Sequence, residues 1–137
     1  MKNPTVSKEG FKTFFSLLEK SVHLQNLDLS GCKLGVSGMA SLCSALEKNK
    51  SIKTLNLYRN IIDIDGARAL KKVLEKNSSL EFLDLSFNRL REKGIKALTD
   101  GMVANASSHI KELALRSNFI NDDGFAYFFE KILLEKK

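Results

Sequence analysis

The chain has 137 residues, 43% of them hydrophobic, and its 22 lysines and arginines against 16 acids give a formal charge of +6. That is one domain's worth of chain, and a composition with a single proline excludes a disordered linker. No apolar run approaches the roughly 20 residues of a membrane span, and two cysteines with no CxxC pair exclude a disulfide scaffold and leave no zinc site or other cofactor to expect.

The first element is expected to be a helical half unit over residues 7–22, with Gly10, Phe14 and Leu18 at spacings of four on one face. A strand follows in LQNLDLSGCKL from Leu24, then a helix with Gly38, Leu42 and Leu46 that stops at Asn49. The pair then returns. IKTLNLYRNII from Ile52 leads to Gly66, Leu70, Leu74 and Asn77. LEFLDLSFNRL from Leu80 leads to Gly94, Leu98, Met102 and Asn105, and IKELALRSNFI from Ile110 leads to Gly124, Phe128 and Ile132. The starts are 28, 28 and 30 residues apart, and each glycine lies 14 positions after its start, as Gly10 lies 14 before Leu24. The whole of 1–137 therefore reads as a single domain of about four and a half repeats starting at 24, 52, 80 and 110.

Within each strand segment, Leu27/Leu29, Leu55/Leu57, Leu83/Leu85 and Leu113/Leu115 alternate with polar residues, the period of a strand buried on one face. Strands one repeat apart that return through helices run parallel, with right-handed crossovers. The expected fold is an α/β solenoid, a curved parallel β-sheet on the concave face and α-helices on the convex face, in which neighbouring repeats complete each other's core. Cys32, Asn60, Asn88 and Asn118 occupy the turn that leaves each strand. An asparagine amide offers that buried backbone both donors and an acceptor, linking neighbouring turns. Asn49, Asn77 and Asn105 are expected to end helices in the left-handed conformation that asparagine tolerates. The Asn-x-Ser triplets they form recur with the repeat and are its by-product, not glycosylation sites. Ser37, Asp65 and Asp123, just before the helix glycines, read as N-caps, a pattern that Lys93 breaks.

The composite pattern, LxxLxLxxNxLxxxGxxxLxxxLxxN at 28 residues, resembles the ribonuclease-inhibitor-like leucine-rich repeats over Gly10 to Leu134. That class includes ribonuclease inhibitor, NOD-like receptor repeat domains, tropomodulin and leiomodin, the Ran GTPase-activating protein and several axonemal proteins. The middle units look closest to the generic cytosolic form found in NOD-like receptors. The resemblance implies a module that binds a protein partner through the concave sheet and its adjoining loops, without naming the partner.

By alternation the residues facing the hollow are Asn26, Asp28 and Ser30; Thr54, Asn56 and Tyr58; Phe82, Asp84 and Ser86; and Glu112, Ala114 and Arg116, with Gln25, Lys53, Arg59, Glu81, Phe87 and Lys111 at the edges. Aromatics and arginine carry most interface energy, so the candidate partner-binding residues are Tyr58, Arg59, Phe82, Asp84, Phe87 and Arg116. Asp28, Glu81, Asp84 and Glu112 offset Lys53, Arg59, Lys111 and Arg116, so the hollow is near neutral. The positive excess then falls on helices and ends, in Lys2, Lys8, Lys12, Lys48, Lys50, Arg68, Lys71, Lys72, Lys93, Lys96, Lys136 and Lys137. Scattered this way among Glu75 and Glu92, these residues make a solvated face, not a nucleic-acid stripe or a membrane anchor. Four strands about 4.8 Å apart present on the order of 300 Å². A standard interface takes roughly 800 Å² per partner, so loops and ends must contribute or the chain is a fragment of a longer array.

Catalysis is not expected. His23 and His109 hold one repeated position on separate units, and no Ser-His-Asp set, phosphate loop or supported carboxylate pair emerges. GTPase activation by analogy with the Ran activator lacks that family's acidic tail and larger array. An assembly unit of a cytoskeletal or axonemal complex is the better alternative. It would dock or self-associate through terminal helices whose Phe11, Phe14, Phe15, Phe125, Phe128 and Phe129 exceed what a polar cap needs. With no apolar signal core at the N-terminus, the expected location is cytoplasmic.

Overall fold

The computed structural model describes residues 7–134; the ends of the expected domain, with Lys2, Lys136 and Lys137, lie outside the described residues. Helices and strands alternate as α1 (Lys8–Lys20), β1 (Asn26–Asp28), α2 (Gly35–Lys48), β2 (Thr54–Asn56), α3 (Ile64–Lys76), β3 (Phe82–Asp84), α4 (Arg91–Ala104), β4 (Glu112–Ala114) and α5 (Asp122–Leu134). The strands form one parallel sheet in the order β1-β2-β3-β4, with Leu27, Leu55, Leu83 and Leu113 in register. The register is thus the repeat spacing itself. Each strand is short, yet the pairing continues past both ends. Lys53 donates its N–H to the Gln25 carbonyl at 2.8 Å, and beyond the strands Leu57 donates to Asp84 at 2.8 Å and Phe87 to Arg116 at 2.7 Å. The result is a leucine-rich-repeat solenoid in which each helix packs on the next in chain order.

The strand leucines fill the space between sheet and helices. Leu55, Leu57, Leu83 and Leu85 are sealed there with Leu42, Leu46, Leu70, Leu74 and Leu98, each burial contributing roughly 1.5–3 kcal/mol before chain entropy is counted. Toward β4 the core opens, and Leu113, Leu115, Phe128 and Ile132 are only half-buried. α1 departs from expectation in the same way. Phe11, Phe15 and Leu18 are buried, whereas Phe14 is 39% exposed. Its counterpart Leu42 is fully buried in the core, in a helix that follows β1, whereas no strand precedes α1 among the described residues.

Two columns of asparagine stitch the repeats together. In the turn column, the Asn88 amide donates to Leu57 and Leu85 carbonyls at 3.0 and 2.9 Å, and its oxygen accepts from the Asn60 and Ile62 N–H groups, both at 2.9 Å. Asn60 reaches back to Leu29 at 2.8 Å and Asn118 to Leu85 at 2.8 Å, so the expected linkage between turns is present. The helix-end column corrects the sequence reading. Asn49, Asn77 and Asn105 are extended, not left-handed, with φ of −70°, −73° and −103°. Asn49 donates to Leu18 at 2.8 Å, Asn77 to Leu46 at 3.1 Å and Asn105 to Leu74 at 2.7 Å, each tying its helix end to the one before. The Asn49 oxygen then accepts from Ser51 and Ile52, both at 2.9 Å, and so sets the entry to β2. An extended backbone is what aims the amide at the last-turn carbonyls of the neighbouring helix.

Helix starts also differ from expectation. Ser37, Asp65, Lys93 and Asp123 all lie inside helices. The capping positions come two residues earlier, where a side-chain oxygen can reach the N–H of the repeat glycine. Asp63 accepts from Asp65 at 3.0 Å and Gly66 at 3.3 Å, and Asn121 accepts from Gly124 at 2.8 Å. The equivalent residues of the other two repeats, Gly35 and Arg91, both at positive φ, instead open α2 and α4, whose caps Leu34 and Leu90 make no side-chain bond. The glycine of each repeat is a close-approach residue. A Cβ at Gly66 would lie 2.6 Å from Cγ2 of Ile62, the residue that plugs the helix entrance from the preceding turn.

Two outcomes follow in urea melts. Asn49→Ala and Asn88→Ala should each cost about 1–3 kcal/mol, because they orphan buried backbone groups, while the exposed Lys72→Ala stays within about 0.5 kcal/mol; equal losses for all three would contradict the assignment. Gly66→Ala should destabilise by about 1–3 kcal/mol through overpacking, the opposite sign to the gain of about 1 kcal/mol that helix propensity alone would give.

Candidate functional site

Where the chain leaves each strand, the turn asparagine is fixed from both sides and its neighbours are forced outward. Gly31, Lys33, Arg59, Ile61, Phe87, Ser117 and Phe119 all adopt positive φ around that turn. For a β-branched residue such as Ile61 this conformation is uncommon and persists only where surrounding bonds over-determine it. Here the Asn88 oxygen holds the N–H of Asn60 and of Ile62, on either side of the peptide unit concerned. The outcome is a rim along the carboxyl ends of the strands, with Ile61 and Phe119 standing 55% and 73% exposed.

Tyr58 and Phe87 meet on this rim with ring centroids 5.0 Å apart, and the Arg116 guanidinium lies 5.6 Å from the centre of the Phe87 ring. A groove of about 890 Å³ runs past them, lined also by Lys33, Arg59, Ile61, Arg89 and Phe119. Of the residues singled out in the sequence, Tyr58, Arg59 and Phe87 line this groove and Arg116 joins them through Phe87. Phe82 and Asp84 do not. Phe82 pairs in register with Thr54, four residues before Tyr58, which places it about 13 Å away at 3.3 Å per residue. It lines a separate shallow recess of about 200 Å³ with Thr54, Asp84 and Glu112.

Asp84 has a structural duty as well. Its carboxylate accepts from the Ser86 N–H at 2.8 Å, as Asp28 does from Ser30 and Asn56 from Tyr58, both at 2.9 Å. The hydroxyl and N–H of Ser30 hold the Asp28 carboxyl below the usual carboxylate range. Ser86 corrects another expectation, since it is 6% exposed instead of wetted. It is a small residue in register between Tyr58 and Arg116, and both of those reach over to Phe87.

Sequence reasoning missed Lys33, Ile61, Arg89 and Phe119. A signal existed, because each directly follows the turn residue of its repeat (Cys32, Asn60, Asn88 or Asn118). Strand alternation stops at that turn and cannot say where the next residue points. The hollow's near balance of charge also proves uneven. The groove lining includes Lys33, Arg59 and Arg89 and no acid, whereas Asp84 and Glu112 lie down the sheet and Glu81 pairs with Lys111 at 3.0 Å on the opposite edge.

Other reactive groups stay apart. Cys43 is buried in α2, and burial with the Glu47 charge pushes its thiol up to about 12, so it is no nucleophile at neutral pH. His23 precedes β1 and His109 precedes β4, at opposite edges of the sheet.

A family profile described as Leucine Rich repeat matches residues 20–43, 76–98 and 106–128, just over half of the chain. No curated protein matches the sequence. Among solved structures, the chain is similar to the tropomodulin C-terminal domain of Caenorhabditis elegans, at a TM-score of 0.76 and 18% identity, over 95% of this chain and 78% of that one. It is similar also to leiomodin-1 actin-binding site 2, at a TM-score of 0.80 and 17% identity, over 95% of this chain and 74% of that one. Likeness at such identities is a likeness of fold. Among the described residues, no helix is long and apolar enough to cross a membrane.

Proposed function

The chain belongs to the leucine-rich-repeat family, and on that premise we propose that it is a cytoplasmic protein-binding module, not an enzyme, that grips its partner with the concave sheet and the rim at the carboxyl ends of its strands. The single observation that carries this reading is the Tyr58–Phe87–Arg116 cluster beside an open groove. Large rings and guanidinium groups held in place by their neighbours lose little entropy on binding and make strong anchors. The sheet face alone, on the order of 300 Å², falls short of roughly 800 Å², and the rim supplies further contact area. In this reading Tyr58, Arg59, Phe87 and Arg116 form the main contact, with Phe82 and Asp84 a second one down the sheet.

Once a partner is in hand, Tyr58→Ala and Phe82→Ala should each weaken binding by about 2 kcal/mol and leave the melting temperature nearly unchanged. Lys72→Ala, on the outer helices, should change affinity little. Loss of binding in Lys72→Ala with both aromatic variants intact would place the partner on the convex face and refute the reading.

A second reading, an assembly unit of a cytoskeletal complex, is favoured by the end of the solenoid. There Leu113, Leu115, Phe119, Phe125, Phe128 and Phe129 line an open apolar groove of about 550 Å³, and Phe129 is 54% exposed. The leiomodin-1 neighbour is named as an actin-binding site, which makes filamentous actin the first partner to try. Sedimentation should show self-association or co-pelleting with actin filaments that Phe129→Ser reduces. A monomer for both proteins over a wide concentration range, absent from actin pellets, excludes this reading.

A further inference from the structure

Some cations on the helices and the far edge of the sheet pair with acids, and others stand singly among them. Lys48 meets Glu19 at 3.0 Å, Lys71 meets Glu75 at 3.8 Å, Lys96 meets Glu92 at 2.6 Å and Lys111 meets Glu81 at 3.0 Å. What sets Lys33, Arg59, Arg89 and Arg116 apart is that successive repeats bring all four to one rim, where none of them forms an ion pair among the described residues. Like charges gathered without acidic partners repel one another and raise the local positive potential, and the groove lining between them holds no aspartate or glutamate to offset it. Such a surface is complementary to negative charge.

We propose that this rim groove binds an extended acidic segment of a protein partner, its carboxylates meeting Lys33, Arg59, Arg89 and Arg116 and its apolar side chains resting on Tyr58 and Phe87. The inference rests on the protein-binding reading above and adds the chemistry of the ligand. Four repeats at about 4.8 Å per strand span about 14 Å, the length of four or five extended residues at about 3.3 Å each. The groove therefore suits a short strand of peptide crossing the repeats. The guanidinium groups favour carboxylates because their planar forks can bond both oxygens at once. Tyr58 and Phe87 give such a segment an apolar floor, and the exposed Ile61 and Phe119 give it walls.

A single-stranded nucleic acid is the competing polyanion, and the geometry disfavours it. Behind the rim, Asp28, Asp84 and Glu112 occupy the strand positions facing the hollow and would repel a continuous phosphate chain. A peptide places its charges only along the cationic row.

The test is fluorescence anisotropy on the full chain with three labelled probes. They are a peptide of about twelve residues alternating Glu or Asp with Leu and Phe, the same peptide with Gln and Asn for the acids, and an oligothymidine of similar length. The acidic peptide should bind at least about tenfold more tightly than its amide counterpart. Its affinity should fall as salt rises from about 50 to about 300 mM. Arg89→Glu with Arg116→Glu should weaken it a further tenfold or so, while Arg68→Glu on α3 leaves it unchanged. If the double variant fails to fold by circular dichroism, the salt series and the amide peptide decide the matter on the unaltered protein. Equal binding of the amide peptide, tighter binding of oligothymidine, or an equal loss in Arg68→Glu overturns the inference. Those outcomes leave the protein-binding reading intact, because that one falls only if Tyr58→Ala and Phe82→Ala spare the native partner.

Discussion

An asparagine amide that bonds to the repeat before it is the interaction on which the rest of this molecule depends. A stack of short strands and helices has two places per repeat where the backbone bends inside the protein without ladder partners, at the strand exit and at the helix end. Asn88 serves the first with three long-range bonds and Asn49 the second with two, and each also bonds to its own turn. Leucine packing makes adjacent repeats adhere, but it is nondirectional and would tolerate slippage. The amides fix distance and angle, and in the two middle repeats they do so at both edges of the layer, through Asn60 and Asn77 and through Asn88 and Asn105. Cys32 stands where the first turn would carry an asparagine, and its sulfur makes only a 3.8 Å contact to the Ser30 carbonyl. The column therefore begins weakly at the edge of the sheet and is strongest in the middle repeats.

The candidate site follows from that constraint. Holding Asn60 and Asn88 rigidly inside forces the residues beside them into the left-handed region and turns their side chains out of the fold. Arg59, Ile61, Phe87 and Phe119 are exposed because the asparagines between them are not. Repetition then lines the outward residues up, repeat after repeat, into a continuous groove. What differs between repeats at those positions carries the chemistry, and what is constant between repeats carries the fold.

That division also explains how much was legible in the sequence. Periodicity of the leucines is equivalent to the sheet register, so Leu27, Leu55, Leu83 and Leu113 align in space as they align in the sequence. The separation of Phe82 from Tyr58 could have been read from the same register. The helix-end asparagines misled because a local preference for left-handed backbone competes with a bond to a carbonyl in the previous repeat, and only the fold reveals the second. Ser86 misled for a related reason. Its own position is an outward one, and its burial comes from larger neighbours, Tyr58 and Arg116, on the flanking repeats. Lys33, Ile61, Arg89 and Phe119 were lost because alternation ends at the turn, where a positive φ resets the direction of the side chains.

Native-state hydrogen exchange on Asn88→Ala tests the central claim most directly. The N–H groups of Asn60 and Ile62 both bond to the Asn88 oxygen at 2.9 Å, and that of Arg59 bonds to the Ser86 carbonyl at 3.1 Å on the same rim. If the amide holds the turn, protection of all three should fall together by about tenfold or more, while helical amides in the middle of α3 keep theirs. Unchanged protection at Asn60 and Ile62 would contradict the account, since the rim would then be held by strand pairing and leucine packing alone.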